Sequence, residues 1–264
     1  MRLLYRAYVF CLCCSTAPAW GGEITVATLN IGHGRGDEGH QIFLSESAIQ
    51  ENLLHIGNIA QELSVDVLAL QEADVHAWWS GYNNQIQTIG GMTELIYSIE
   101  GIHSQRSSLL YGTSLLSKSD WTQKKSLGYK STFVLPQKGF VYGVMVVEEQ
   151  PLLIVSIHLD PLRHVVREKQ IEILASVVNS YALPTIIMGD LNIEWGAELQ
   201  KYCQLLHVVP YQPDADLITF ASLDKRLDWI LLSEQMRFLR YQTLESSISD
   251  HRMVVATIAM PISK

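Results

Sequence analysis

Continuous apolar runs that end at polar side chains recur along this chain of 264 residues. Uninterrupted runs of this kind are typical of strands in sheets that are covered on both faces. The runs are 24–29, 65–70, 152–157, 185–188 and 226–232. Most end at a side chain that carries an acid, amide or imidazole group. The sequence therefore predicts buried strands whose ends collect polar residues.

Helical patterns lie between these runs. Apolar residues fall on one helical face in 49–63 and again in 171–181, and Pro184 then stops the second helix. Ser47-x-x-Gln50 predicts a capping box at the start of the first helix. Strands and helices alternate without a regular βαβ rhythm, so we expect mixed sheets. Because no Pro/Gly-rich linker interrupts the chain, residues 20–264 are predicted to form one domain.

The first 19 residues predict a secretory signal peptide. Arg2 and Arg6 precede a short apolar run, and Ala17-Pro18-Ala19 fits a small-x-small cleavage site. The apolar run is too short to span a bilayer. We therefore expect an exported protein, periplasmic or extracellular.

Three of the four cysteines lie in this leading segment. A lipid anchor at Cys13 or Cys14 is the alternative to cleavage, although the preceding residues match a lipid-attachment pattern poorly. A cleaved chain would keep only Cys203, which excludes an internal disulfide. We expect Cys203 to be a small buried hydrophobe in a helix.

Cleavage would also remove two arginines and no acid, which leaves a formal net charge of −10. This charge argues against the strongly basic surface of many nucleic-acid-binding proteins. It does not exclude a phosphoester substrate, because a metal site needs carboxylates and a bound cation reverses the local field.

Two short strings carry the first indication of chemistry. Gly189-Asp190-Leu191-Asn192 follows one apolar run, and Ser249-Asp250-His251 precedes another at 253–258. Carboxylates and amides bind hard divalent cations, and a histidine can transfer protons. The pair predicts a metal-assisted hydrolase. The alternative for Asp190 and Asn192 is an Asx turn.

Four further polar residues occupy comparable positions. Asp228 stands among apolar neighbours and needs a partner, for which His251 is the candidate. Glu72 and His158 each end an apolar run, and each has a structural alternative: emergence into solvent for Glu72, a satisfied core histidine for His158. Asn30 leads into a glycine-rich loop that is either an active-site loop or a plain mobile one.

Two other features are weaker. Trp78 and Trp79 form either a substrate platform or part of the core, with the core slightly favoured. The lysines between 118 and 138 read mainly as a solvated surface, with a phosphate-contacting rim as the alternative.

Taken in order, seven strings resemble the endonuclease/exonuclease/phosphatase superfamily. They run from about residue 24 to residue 258, and each is weak alone. The strings are Thr28-Leu29-Asn30, Gln71-Glu72, the stretch 111–117, Ser156-Ile157-His158-Leu159-Asp160, Gly189-Asp190-Leu191-Asn192, Arg226-Leu227-Asp228-Trp229-Ile230 and Ser249-Asp250-His251.

The resemblance implies a four-layer α/β sandwich, in which two packed, mostly antiparallel or mixed sheets are flanked by helices. It also implies a metal-dependent phosphoesterase that uses Mg²⁺, or Mn²⁺ in its place. Glu72 would be the main metal ligand, with Asn30 and Asp250 close by. One departure is Gly32, because some members carry an acid there; this favours a single metal.

The resemblance assigns catalytic roles to five residues. Asp190 and Asn192 would handle the attacking water and the phosphate, and His158 would contact the scissile phosphate. His251, held by Asp228, would act as acid–base or stabilise charge. Whether Asp190 or His251 takes the water's proton stays open.

Substrate and partners stay open as well. A nucleic acid, a phospholipid head group of the sphingomyelinase type and a small phosphate ester are the candidates. No protein partner is implied, and a monomer is expected. A catalytically inactive binding module on the same scaffold is the rival class, although none of the core site residues is missing.

Overall fold

The structure is a computed structural model that describes residues 21–106, 108–130, 136–245 and 247–261. The predicted signal peptide, residues 1–19, lies outside the described residues. Within these ranges the helices are α1 Glu46–Glu62, α2 Gln85–Gly91, α3 His164–Tyr181 and α4 Ala197–Leu206. None of the described helices combines the length and apolarity needed to cross a bilayer.

The strands of the described ranges form two sheets. They are β1 Glu23–Asn30, β2 Val67–Ala77, β3 Tyr97–Arg106, β4 Leu109–Ser117, β5 Gln123–Gly128, β6 Gly139–Val147, β7 Gln150–His158, β8 Thr185–Asp190, β9 Val208–Pro210, β10 Asp228–Ser233, β11 Arg237–Leu244 and β12 Met253–Ala259. The first sheet has the order β11-β12-β1-β2-β4-β3, and the second β5-β6-β7-β8-β10-β9.

Both sheets are mixed in the same way. β1 and β2 are parallel and are connected through α1, whereas their outer neighbours pair antiparallel. β7 and β8 repeat this arrangement with α3 as the crossover. The register pairs Asn30 with Gln71 and His158 with Asp190, so each parallel pair ends in polar side chains. The prediction of mixed sheets is confirmed.

Three apolar clusters hold the layers together. One lies between the two sheets and includes Ile154 and Ile230, which are fully buried. A second joins α1 and α2 to the first sheet, and a third joins α3 and α4 to the second sheet around Trp229. The layer order is helices, sheet, sheet, helices, which confirms the predicted four-layer sandwich.

Local details differ from the sequence pattern at the start of α1. The N-cap is Ser45, whose Oγ accepts a hydrogen bond from the Ala48 amide, and not Ser47. The predicted capping box is therefore wrong. Ser47 lies in the first turn of the helix, where its hydroxyl is 2.9 Å from that of Ser45. Cys203 lies buried in α4 as expected, and burial raises the pKa of its thiol to about 12.

The strand that was predicted to end before Glu72 continues to Ala77 as β2. Its pairing with β4 shifts register between Leu70 and Ala73, which leaves Gln71 and Glu72 in a bulge. Glu72 takes a left-handed backbone conformation there, with φ of 52°. A bulge re-aims a side chain that regular pleating would direct elsewhere. Glu72 is therefore placed by a break inside the strand, and not by the strand's end.

Candidate active site

The carboxyl ends of the two parallel strand pairs meet across the sandwich. Asn30, at the end of β1, donates from Nδ2 to Asp190 Oδ2 over 3.0 Å. Asp190 ends β8 and is also 3.3 Å from His158 Nε2, at the end of the neighbouring β7. All three side chains are buried. The sequence predicted each of them separately, and the fold brings them into one cluster.

Asp190 is ionised in this setting. Burial alone would raise the pKa of its carboxyl, but His158 and His251 lower it to about 2. The Oδ1 atom accepts the Asn192 amide at 2.9 Å, so the Asx turn weighed for this string is present. Asn192 has φ of 53°, and its side-chain amide donates to the Leu159 carbonyl at 3.1 Å.

Asp228 and His251 form a buried pair, with Oδ2 and Nδ1 2.8 Å apart. Asp228 is the first residue of β10 and lies opposite Asp190 in the antiparallel register. Burial alone would lower the pKa of the His251 imidazole, but the carboxylates of Asp228 and Asp190 raise it to about 10. These carboxylates therefore favour the protonated imidazole, whose Nε2 then carries a proton, whereas an ion bound by the same carboxylates would favour the neutral ring.

This region contains a set of groups that fits a cation. Asp190, Asp228 and His251 each offer a ligand atom, and these atoms lie within 4.8 Å of one another. Asp228 Oδ1 is buried and has no hydrogen-bond partner among the described residues. A buried carboxylate oxygen without a partner is costly, so the donor set suits a metal ion or a water bound to one.

Glu72 faces a cation that the sequence pattern did not assign to the site. Its Oε1 is 3.0 Å from Lys138 Nζ, and the same Nζ is 3.0 Å from His158 Nε2. Burial alone would raise the pKa of the Glu72 carboxyl, but the electrostatic influence of Lys138, and next of His158, lowers it well below its usual range.

The reading of Lys138 as part of a solvated surface is wrong, since its side chain is only 12% exposed. It precedes Gly139, which pairs with His158 in the β6–β7 register. The β6–β7 register places Lys138 beside His158, and the sequence alone does not give that register.

Asp250 pairs with Arg35 of the glycine-rich loop, by a salt bridge between Arg35 Nη2 and Asp250 Oδ2. No hydrogen bond or ion pair in the described ranges joins Glu72 to Asn30 or to Asp250; Glu72 pairs with Lys138, and Asp250 with Arg35. The role of Glu72, Asn30 and Asp250 as a set of metal ligands stays a prediction.

A second aspartate–histidine pair lies beside Glu72. His33 Nδ1 is 2.8 Å from Asp74 Oδ1, and His33 Nε2 is 3.8 Å from Glu72 Oε2. Trp79 donates from Nε1 to Asp74 at 2.8 Å, whereas Trp78 is 48% exposed. The two tryptophans thus differ: Trp79 is hydrogen-bonded to Asp74, and Trp78 faces solvent.

Comparison with known proteins gives a consistent result. The sequence model of the Endonuclease/Exonuclease/phosphatase family matches residues 27–251. No curated protein matches the chain in sequence. Among solved structures, an endonuclease/exonuclease/phosphatase from Beutenbergia cavernae DSM 12333 superposes with a TM-score of 0.73 at 16% identity, covering 90% of this chain and 72% of the other.

Two further solved structures have more specific names. Sphingomyelinase C from Streptomyces griseocarneus has a TM-score of 0.66 at 16% identity, over 89% of this chain and 99% of its own. A mannosyl-6-phosphatase from Bacteroides thetaiotaomicron VPI-5482 has a TM-score of 0.68 at 15% identity, over 90% of this chain and 100% of its own. At these identities the likeness shows the fold alone.

Proposed function

The chain belongs to the Endonuclease/Exonuclease/phosphatase family, and from that premise we propose that it hydrolyses a phosphodiester or phosphomonoester with the help of a divalent cation. The observation that carries this proposal is the junction of Asn30, Asp190 and His158 beside the Asp228–His251 pair. An amide, an acid and an imidazole at the carboxyl ends of parallel strands, next to a buried aspartate–histidine pair, are suited to phosphoryl transfer.

We propose Mg²⁺ as the physiological ion, with Mn²⁺ able to replace it. Glu72 would be the main ligand, with Asn30 and Asp250 nearby. A divalent ion at such a site neutralises the phosphate and stabilises the leaving oxygen.

The chain's own residues divide the remaining work. Asp190 is ionised and orients a water for in-line attack. His158 Nε2 and Lys138 Nζ lie 3.0 Å apart beside Asp190. Both groups can bind the non-bridging oxygens of a phosphate there. His251 is protonated and held by Asp228, so it donates its Nε2 proton to the developing negative charge. This division supports Asp190, more than His251, as the acceptor of the water's proton.

For the substrate class, a lipid head group has support from one surface feature. Trp78 is half exposed, and Phe43, in the neighbouring turn Gln41–Phe43, is 84% exposed. Exposed aromatic residues next to a hydrolytic site suit a substrate presented at a lipid surface. We therefore place a phospholipid head-group diester ahead of nucleic acid, which the acidic charge disfavours, and of a small phosphate ester. Action outside the cytoplasm, as a monomer, is part of the proposal.

A hydrolysis panel tests the proposal. Purified protein is offered sphingomyelin and phospholipid vesicles, single- and double-stranded DNA, RNA and small sugar or inositol phosphates, each with Mg²⁺ and with EDTA. Metal-dependent release of product from any of these supports a phosphoesterase, and release from vesicles supports the lipid class. No hydrolysis of any substrate, together with no Mg²⁺ binding by calorimetry, would favour a binding module.

A further inference from the structure

The loop after β1 places a histidine where backbone geometry leaves it little freedom. Gly32, His33 and Gly34 have φ values of 49°, 63° and 76°, all in the left-handed region. A run of three such residues turns the chain sharply, and the His33 side chain is only 9% exposed. Left-handed backbone at a non-glycine residue costs free energy and often marks a functional position. This position therefore calls for an explanation.

The partners of Asp74 fix the orientation of the His33 ring. Asp74 is fully buried; its Oδ1 is bonded to His33 Nδ1, and its Oδ2 accepts from Trp79 Nε1 and from Ser80 Oγ at 2.9 Å. With Nδ1 engaged by Asp74, Nε2 is the ring nitrogen that faces the site. A carboxylate behind a histidine is the arrangement that supports metal-ligating histidines.

The free nitrogen faces Glu72. His33 Nε2 makes no hydrogen bond within the described ranges, and its near neighbour is Glu72 Oε2 at 3.8 Å. This distance is too long for a hydrogen bond. It is shorter than the sum of two ligand bonds of about 2.0–2.2 Å each, so one ion can reach both atoms. The spacing of the two atoms is therefore that of two ligands of one ion.

The neighbours Arg35 and Lys138 limit which atoms can bind an ion beside His33. A side chain at Gly32 would place its Cβ 2.6 Å from Arg35 Nη1, and Arg35 is already paired with Asp250. A side chain at position 32 would therefore collide with the guanidinium that pairs with Asp250. Lys138 takes the Oε1 atom of Glu72, which leaves Oε2 and the His33 nitrogen as the donors that face each other.

We infer that His33 Nε2 and Glu72 Oε2 are ligands of one divalent ion, which gives this chain a mixed nitrogen and oxygen metal site. Imidazole suits Zn²⁺ and other late first-row ions better than Mg²⁺, which prefers oxygen, and Mn²⁺ stands between the two. The site thus binds first-row transition ions more tightly than Mg²⁺. The inference rests on the proposed function only in expecting that a divalent ion is bound at all.

Mn²⁺ binding to the whole protein tests this inference through electron spin-echo spectroscopy, which detects a coordinated nitrogen directly. We expect a ¹⁴N coupling from bound Mn²⁺ in the wild type. His33→Gln puts an amide oxygen near the position of Nε2, so it should lose the coupling while still binding Mn²⁺. His33→Ala should weaken Mn²⁺ binding about 10–100-fold and Mg²⁺ binding less. His76→Ala is the control, because His76 is exposed and contacts Tyr82.

The outcomes separate this inference from the proposed function. A coupling lost in His33→Gln and kept in His76→Ala supports the histidine ligand, even if no substrate is ever hydrolysed. A coupling that survives in His33→Gln, bound Mn²⁺ without nitrogen coupling in the wild type, or no Mn²⁺ binding would overturn it. Metal-dependent hydrolysis by an ion that is bound through oxygen ligands alone would still support the proposed function.

Discussion

Asn30 Nδ2 donates to Asp190 Oδ2 over 3.0 Å, and this hydrogen bond joins residues 160 positions apart in the sequence. It connects the end of β1 in one sheet to the end of β8 in the other. The site is therefore built at the seam between two sheets that have the same internal arrangement. Any change that shifts one sheet against the other should therefore disturb the Asn30–Asp190 hydrogen bond.

The Asp228–His251 pair should be essential for turnover. In Asp228→Asn, the His251 imidazole loses the carboxylate that holds it as a cation, and we expect kcat to fall about 10²–10⁴-fold. Circular dichroism should show an unchanged fold. Asp224→Asn is the control, because Asp224 is an exposed residue at the end of the turn Ala221–Leu223. Near-normal kcat in a folded Asp228→Asn protein would show that turnover does not need this pair.

Lys138 should affect metal binding and activity in opposite directions. Its ammonium group partly neutralises Glu72, so Lys138→Met should tighten divalent-ion binding several-fold in calorimetry. The same change removes a cation from the phosphate's side of the site and should lower kcat. Lys124→Met is the matched control, since Lys124 is 45% exposed and pairs with Asp120. Weaker metal binding in Lys138→Met would show that the lysine supports the ion rather than competing with it.

Gly189 should tolerate no side chain. Its φ is 147°, and a Cβ there would lie 2.0 Å from the Ile157 carbonyl oxygen. Gly189→Ala must therefore push β7 away from β8, and we expect a loss of about 1–3 kcal/mol of stability or more, together with lost activity. Urea denaturation measures the first. Gly91→Ala, where no atom lies within 4 Å of the new Cβ, should change stability little; equal effects in the two variants would contradict the argument.

Glu198 should contribute to stability at moderate pH and lose that contribution in acid. Burial alone would raise the pKa of its carboxyl, but hydrogen bonds from Arg167 and Tyr202 lower it to about 2. A lowered folded-state pKa stabilises the protein above the unfolded value of about 4.5, and this is lost as pH falls toward 2. Glu198→Gln should thus be less stable than wild type at pH 6, with the difference vanishing near pH 2. A gap that stays constant with pH would show that ionisation is not involved.

The sequence was informative about strand ends because the burial pattern is local. Apolar runs located β1, β7 and β8, and ordered motifs identified Asn30, His158 and Asp190 before any contact was known. Asp228 was recognised because an acid among apolar residues needs a partner, and His251 is that partner at 2.8 Å. Each of these predictions rests only on residues that are close together in the sequence.

The contacts that the sequence does not predict depend on pairing between distant segments. Lys138 reaches the site because β6 pairs with β7 in a particular register, and Glu72 is aimed by a bulge between β2 and β4. The His33–Asp74 pair joins a loop to a strand 41 residues later. No periodicity or short motif encodes such a pairing, so these contacts are visible only in the fold.

If a divalent ion at Glu72 drives phosphoester hydrolysis, the rate must depend on both the ion and this carboxylate. The rate of hydrolysis of the best substrate in the panel is followed during titration with EDTA and then with excess Mg²⁺ or Mn²⁺, for wild type, Glu72→Ala and the exposed control Glu51→Ala. We predict that EDTA abolishes and metal restores activity in wild type and Glu51→Ala, while folded Glu72→Ala stays inactive at every metal concentration. Hydrolysis that persists in EDTA, or wild-type turnover in Glu72→Ala, would contradict the account.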